Sequence, residues 1–470
     1  MILPFALPPV GSLPGEAIRG AALGALFLAI FAAAELWRMA RHPDPEWTRK
    51  LVHVGGGLAV APIPWLFGSA WTVLALGAAF AGILWGTRRV GWLRSVHGVA
   101  RRSEGGIYFP VSVCALYLLA HGRPLFFLVS LLVLVVADTA AALVGSRYGR
   151  LVYPVEGDRR TLEGSAVFFA TAFLCVGAPL LASGTTEPVA AVLIAAQLAL
   201  VVTFLEGISL RGSDNLVVPL ATLYLMVKMT PHDAAWIGSQ LAAQLAITGA
   251  VFLLAIRLRF VRASGAMALS LTLYGAYSLG GGAWLVAPGL CLGAFLAFRA
   301  ASARRAPLAR VGFQVRAMFW AGIVAAVLFI ANNALETLVP AAFRPGVRDV
   351  LYVPFVGAVA AQLAALCLAL VEHRRGAPLA RATRLTAAGA AAAGFALVVP
   401  AALAVGTGGV TAAGLAASAG ICFGSLALYR GTRRVRGTSH THWDGRLQAL
   451  SVACATALVL PLHLHAIGVV

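Results

Sequence analysis

Leu125-Phe126-Phe127-Leu128-Val129-Ser130-Leu131-Leu132-Val133-Leu134-Val135-Val136-Ala137 is polar only at Ser130, and it runs without a break into Asp138-Thr139. A run that does not alternate apolar with polar residues excludes a barrel strand and implies a helix that satisfies its own backbone in an apolar medium. Working outward, apolar runs long enough to span a bilayer recur from end to end. Across the 470 residues, 60% are hydrophobic, only 11% are charged, and mean hydropathy is +0.88. An ordinary soluble protein carries about 25% charged residues. The fold class is therefore all-α, a polytopic transmembrane helical bundle of about 14–16 spans.

The first eight spans fall near 17–37, 51–67, 69–86, 106–121, 124–144, 164–183, 187–208 and 215–230. The next eight fall near 233–256, 264–281, 283–299, 317–338, 350–372, 385–405, 408–428 and 447–468. Segments 51–67 and 69–86, like 264–281 and 283–299, lie so close together that each pair is open to a re-entrant reading. The first apolar run, Ala21 to Leu36, is followed by basic residues rather than a cleavage site, so no secretory signal is expected.

A net charge of +19 would suit nucleic acid in a soluble protein, but here it reads as a basic cytoplasmic face, with no nucleic-acid partner. With the N-terminus outside, the inside loops carry Arg38, Arg41, Arg49 and Lys50, then Arg88, Arg89, Arg94, Arg101 and Arg102, then Arg147, Arg150, Arg159 and Arg160. Later inside loops are equally basic, whereas outside loops hold little beyond Arg123, Arg344 and Arg348. Thirteen of the 17 acidic residues precede residue 240, so carboxylate or metal chemistry belongs to the first half. The domain expectation is 1–230 for the functional membrane domain and 231–470 for an additional transmembrane helical domain of unknown role. The six cysteines stand singly without a CxxC pair and read as packing residues.

Four polar constellations interrupt the apolar pattern. The first is Asp138, which reads either as a helix-end charge at the water interface or as a functional carboxylate. Gly145 and Gly149 follow it, and would let a ligand approach the backbone where the helix stops. The second is Glu156-Gly157-Asp158-Arg159-Arg160-Thr161-Leu162-Glu163-Gly164-Ser165. Thr161 can cap the next helix with Glu163 in its first turn; alternatively the arginines and helix N-terminus bind phosphate while Glu163 and Asp138 share a divalent cation. The third is Arg49-Lys50-Leu51-Val52-His53 before Gly55-Gly56-Gly57, whose three polar side chains share one helical face. The fourth is Glu206, late in an apolar run, followed by Asp214-Asn215 and Pro219, where the alternative is a capped polar turn. The topology brings all four to the cytoplasmic face.

At these residues the sequence resembles the CTP-dependent polyprenol kinase family, which includes dolichol kinase, phytol kinase and bacterial relatives. The matching elements, over about residues 35–230, are Arg49-Lys50-x-x-His53, Gly106-Ile107-Tyr108-Phe109-Pro110, Asp138-x-x-Ala141-x-x-x-Gly145-x-x-x-Gly149, Arg160-Thr161-Leu162-Glu163-Gly164-Ser165 and Asp214-Asn215-x-x-x-Pro219. The family usually has lysine where Arg160 stands; arginine can clamp phosphate through two parallel hydrogen bonds. Phosphatidate cytidylyltransferases are similar at the Asp…Gly…Gly and Arg-Thr-x-Glu-Gly elements, but their later His-Gly-Gly…Asp-Arg-x-Asp signature is absent here. After residue 240 the match ends. Ser264-Gly265-Ala266 through Gly280-Gly281-Gly282 faintly resembles a family linked to phytyl-phosphate phosphorylation, and His440, His442 and Asp444 form a polar cluster read as a solvated loop.

The resemblance implies transfer of the γ-phosphate of CTP, with Mg2+ as cofactor, onto an isoprenoid alcohol dissolved in the bilayer. It implies catalytic roles for Asp138, Glu163 and Asp214, with Asp138 and Glu163 as metal ligands. Arg49, Lys50, His53, Gly145, Gly149, Arg160, Thr161, Gly164 and Asn215 are expected at the nucleotide and its phosphates. A CTP:lipid-phosphate cytidylyltransferase-like reaction and a membrane transporter are the alternatives. Ala/Gly/Arg richness points to a bacterial inner membrane, with the site facing the cytoplasm.

Overall fold

The computed structural model describes residues 13–93, 95, 104–258, 261–303, 313–338, 349–373, 381–436 and 444–467. It divides into two compact units, Phe5–Leu245 and Ala246–Val470. The first contains α1 (Leu13–Arg41), α2 (Pro45–Val60), the short α3 (Ile63–Leu66), α4 (Ala70–Val90), α5 (Gly105–Leu119), α6 (Pro124–Leu132), α7 (Asp138–Tyr148), α8 (Leu162–Ser183), α9 (Pro188–Ile208) and α10 (Asp214–Met229). A single π-turn, Val133–Ala137, joins α6 to α7, and α11 (Ala234–Leu258) runs across the boundary between units.

Among the described residues, ten helices are long and apolar enough to cross a membrane, and three shorter apolar helices accompany them. The chain is an integral, multi-pass membrane protein. Each of the sixteen segments read as spans falls on helix; 51–67 becomes α2 plus the turn α3. The only β-strands among the described residues form an antiparallel hairpin of β1 (Val152–Val155) and β2 (Asp158–Thr161). Glu156 and Gly157 turn it, with φ of 51° and 99°, the two consecutive positive values that a two-residue hairpin turn demands.

Packing in the first unit follows the helical period. Phe168, Ala172, Val176 and Leu180 recur every fourth residue on α8 and are fully buried. Ala191, Ile194, Ala195 and Leu198 of α9 are buried just as completely, and α8 and α9 pack together. α7 lies against α8 at a glycine contact: a methyl group on Gly164 would meet the Ala141 carbonyl at 3.1 Å and Gly145 Cα at 3.3 Å. Exposed tryptophans mark both ends of α4, Trp71 at its start and Trp85 and Trp92 toward and beyond its end. Its 21 residues rise roughly 30 Å, the thickness of a hydrocarbon core flanked by aromatic belts.

The second unit contains α12 (Ala263–Gly280), α13 (Val286–Ala303), α14 (Val315–Leu338), α15 (Tyr352–His373), α16 (Arg381–Gly406), α17 (Ala412–Arg436) and α18 (Gly445–Ala466). Its centre is α15, buried on all sides from Tyr352 to Ala365 and packed against α13, α14, α16, α17 and α18. A helix apolar all round belongs inside a bundle. Of the polar cluster expected at 440–444, His440 and His442 lie outside the described residues, and Asp444 caps α18 by accepting from Leu447 N at 3.0 Å.

Candidate active site

The site grows from α2. Asp44 caps it by accepting from Glu46 N at 2.9 Å, and Pro45 fills its first turn. The buried Thr48 hydroxyl donates to the Ser95 carbonyl at 2.9 Å, which fixes the rotation of the next turn. That turn aims Lys50 and His53 at the end of α6, where the missing side chain of Gly57 lets α2 press against Val135 of the π-turn. π-turns of this kind are frequent at functional sites.

Asp138 follows the π-turn directly. Lys50 Nζ lies 2.5 Å from its Oδ2, and His53 Nε2 lies 3.5 Å from the same oxygen. His53 Nε2 is also 3.3 Å from the Leu134 carbonyl. Both neighbours are acceptors, so the geometry selects a proton on Nε2. Phe109, from the Gly106–Pro110 segment of α5, packs against the imidazole edge-on at 5.7 Å between centroids.

The hairpin supplies the opposing charge. Arg160 of β2 donates through Nη1 to Glu206 of α9, and its Nη2 lies 3.7 Å from Asp214 Oδ2 at the start of α10. Burial opposes the charge on Arg160, but Glu206, Asp214 and Asp138 outweigh it and raise the guanidinium above the usual arginine range. Its Nε is buried without a hydrogen-bond partner. Tyr153 of β1 holds the hairpin to α8 through a 2.8 Å hydrogen bond with Ser165.

These groups line one cavity of about 360 Å³. Its walls include Glu46, Arg49, Lys50, His53, Asp138, Gly145, Arg159, Arg160, Thr161, Gly164, Glu206, Asp214 and Asn215. All belong to the first compact unit. The four constellations therefore converge, and most of the expected site residues meet.

No family model matches the chain, and no solved structure matches it. A curated protein of Synechocystis sp. named phytol kinase is 33% identical over 222 residues, which are 91% of that protein and 47% of this chain. The chain belongs to the phytol kinase-like family. More than half of this phytol kinase-like chain thus lies outside the matched stretch.

Two expectations need correction within the phytol kinase-like site. Glu163 does not face the cavity with Asp138. Its Oε1 accepts from the backbone N–H groups of Arg150 at 3.0 Å and Leu151 at 3.1 Å, where it holds the approach to β1. The carboxylates that join Asp138 are Glu206 and Asp214, and one ligand atom of each lies within 4.8 Å of the others. Gly149 is likewise not a cavity wall; a side chain there would strike Thr161 and the Gly145 carbonyl. Gly145 and Gly164 do line the cavity, but their bareness is demanded by the α7–α8 contact. Thr161 both lines it and caps α8, accepting from Gly164 N at 3.2 Å.

Three carboxylates gathered so closely, with a buried unpartnered donor beside them, fit a divalent cation bound together with an anionic ligand. Glu206 was visible in the sequence as a carboxylate inside a span, and that is the signal that marks it.

Proposed function

We propose that this chain is a membrane-embedded lipid-alcohol kinase that moves the γ-phosphate of CTP onto an isoprenoid alcohol at the cytoplasmic boundary. The observation that carries the reading is the single cavity that joins Asp138, Glu206 and Asp214 to Arg49, Lys50 and Arg160 at the ends of apolar helices. Trp47, exposed one turn before Lys50, supports a site at the level of the headgroups, where a prenol would present its hydroxyl. Family membership supports the kinase chemistry.

Asp138, Glu206 and Asp214 would hold Mg2+, which when bound supplies charge neutralisation to the triphosphate. Arg160 is placed to clamp phosphate oxygens with its Nη groups and the unpartnered Nε, and Arg49 and Lys50 add positive charge along the same wall. His53 and Lys50 keep Asp138 oriented. The alcohol oxygen forms the new bond to the γ-phosphorus as the bridging β–γ oxygen leaves with CDP, and a carboxylate of the cluster takes the hydroxyl proton. The work of such a site is alignment and charge stabilisation.

The test uses purified protein in detergent with Mg2+, a panel of prenols and CTP labelled either at the γ-phosphate or in the cytidine ring. The reading expects γ-label in the lipid and none from the ring. Ring label in the lipid would make the protein a cytidylyltransferase, and no label from either would end the kinase assignment.

A further inference from the structure

The three carboxylates are already largely offset by cations of the protein itself. Glu206 is 4% exposed and Asp214 7%. Three such charges within 4.8 Å of one another repel, and burying them unpaired is costly. Lys50 answers Asp138, while Arg160 bridges Glu206 and Asp214 from the hairpin. Arg160 therefore occupies, with its own charge, the side of the cluster that a divalent cation needs.

We infer that Arg160 is an exchangeable counter-ion: it excludes a divalent cation from the carboxylates until a nucleotide triphosphate draws its guanidinium away. This inference rests on the proposed kinase reading and goes beyond it by setting the order of assembly. With Arg160 in place, three negative charges face two positive ones, and a divalent ion would leave net positive charge in a buried site. With a triphosphate present, the guanidinium gains phosphate acceptors for its Nη groups and for the Nε that has no partner in the protein. Glu206 and Asp214 are then released to the cation. The two ligands enter as a pair, and neither lipid nor catalysis is required for the effect.

The experiment measures Mn2+ binding to the full-length protein in detergent, by electron paramagnetic resonance of the free ion, with and without β,γ-methylene-CTP. Wild-type protein should bind Mn2+ alone weakly and at least roughly 10-fold more tightly with the analogue. Arg160→Gln should bind Mn2+ alone roughly 10-fold more tightly than wild type, with most of the gain from the analogue lost. Arg160→Lys keeps a cation for Glu206 and should exclude Mn2+ as wild type does. If Arg160→Gln does not fold, the wild-type protein still decides: equal Mn2+ affinity with and without the analogue overturns the inference. A folded Arg160→Gln that binds Mn2+ no better than wild type overturns it as well. Loss of Mn2+ binding in Glu206→Gln and Asp138→Asn is the separate control. If binding survives both, the carboxylate metal centre itself fails, an outcome distinct from failure of the exchange.

Discussion

Lys50 and Asp138 form an ion pair whose side chains are only 10% and 18% exposed, so each is the other's main substitute for water. Removing one partner strands a charge. Lys50→Met should lower stability by roughly 3–5 kcal/mol, seen as a lower midpoint of thermal unfolding in detergent. The double change Lys50→Met with Asp138→Leu should recover much of that loss while remaining inactive, because the pair is then replaced by apolar packing. The two glutamates separate in the opposite way. Glu163 serves two backbone amides outside the cavity, so Glu163→Gln keeps one acceptor and should leave phosphate transfer within roughly 2-fold of wild type. Glu206→Gln removes a charge from the cluster and should reduce transfer on the order of 100-fold. Steady-state incorporation of γ-label decides both, and a comparable loss in Glu163→Gln would restore it as a metal ligand. Sequence spacing put Glu163 next to Arg160 and so invited it into the site. The direction of its carboxylate depends on where Arg150 and Leu151 present their N–H groups, which only the folded hairpin sets.

The spans were legible because most of them carry a long apolar run, and Thr161 before α8 was a readable helix cap. The hairpin was not legible. Its strands are four residues each, and Asp158-Arg159-Arg160-Thr161 shows no alternation of apolar and polar residues. The π-turn was equally hidden, since its five residues are apolar and look like any stretch of span. Both matter, because one delivers Arg160 and the other delivers Asp138. The α7–α8 contact is the seam that joins them. At Gly164 a methyl group would meet the Ala141 carbonyl and Gly145 Cα, both backbone that cannot turn aside. Gly164→Ala should therefore push α7 from α8, at a penalty of roughly 1–3 kcal/mol in unfolding measurements. Because Asp138 begins α7 and Arg160 lies two residues before α8, transfer should fall by more than the stability loss alone explains. Unchanged melting and activity would mean that the helices separate without consequence for the site.

At the scale of the molecule, the charge asymmetry along the chain has a consequence that no single residue carries. By the positive-inside rule, the basic loops that alternate with the expected spans would face the cytoplasm, and the cavity walls Arg159 and Arg160 come from one of those loops. CTP is available only inside the cell, so the proposed CTP-dependent kinase requires its site to lie on the face that the positive-inside pattern assigns to the cytoplasm. Ser146 tests that agreement: it lines the cavity, is exposed, and can be replaced by cysteine in a protein whose six native cysteines are first removed. In right-side-out vesicles a membrane-impermeant maleimide should leave Ser146→Cys unlabelled, and permeabilising the vesicles should make labelling complete. Saturating Mg2+ and CTP should then slow the reaction, since Ser146 shares its cavity with the arginines that the triphosphate would engage. Labelling from outside in sealed vesicles would put the carboxylates and arginines on the face that CTP never reaches. The proposed transfer would then have no donor, whatever the geometry of the site.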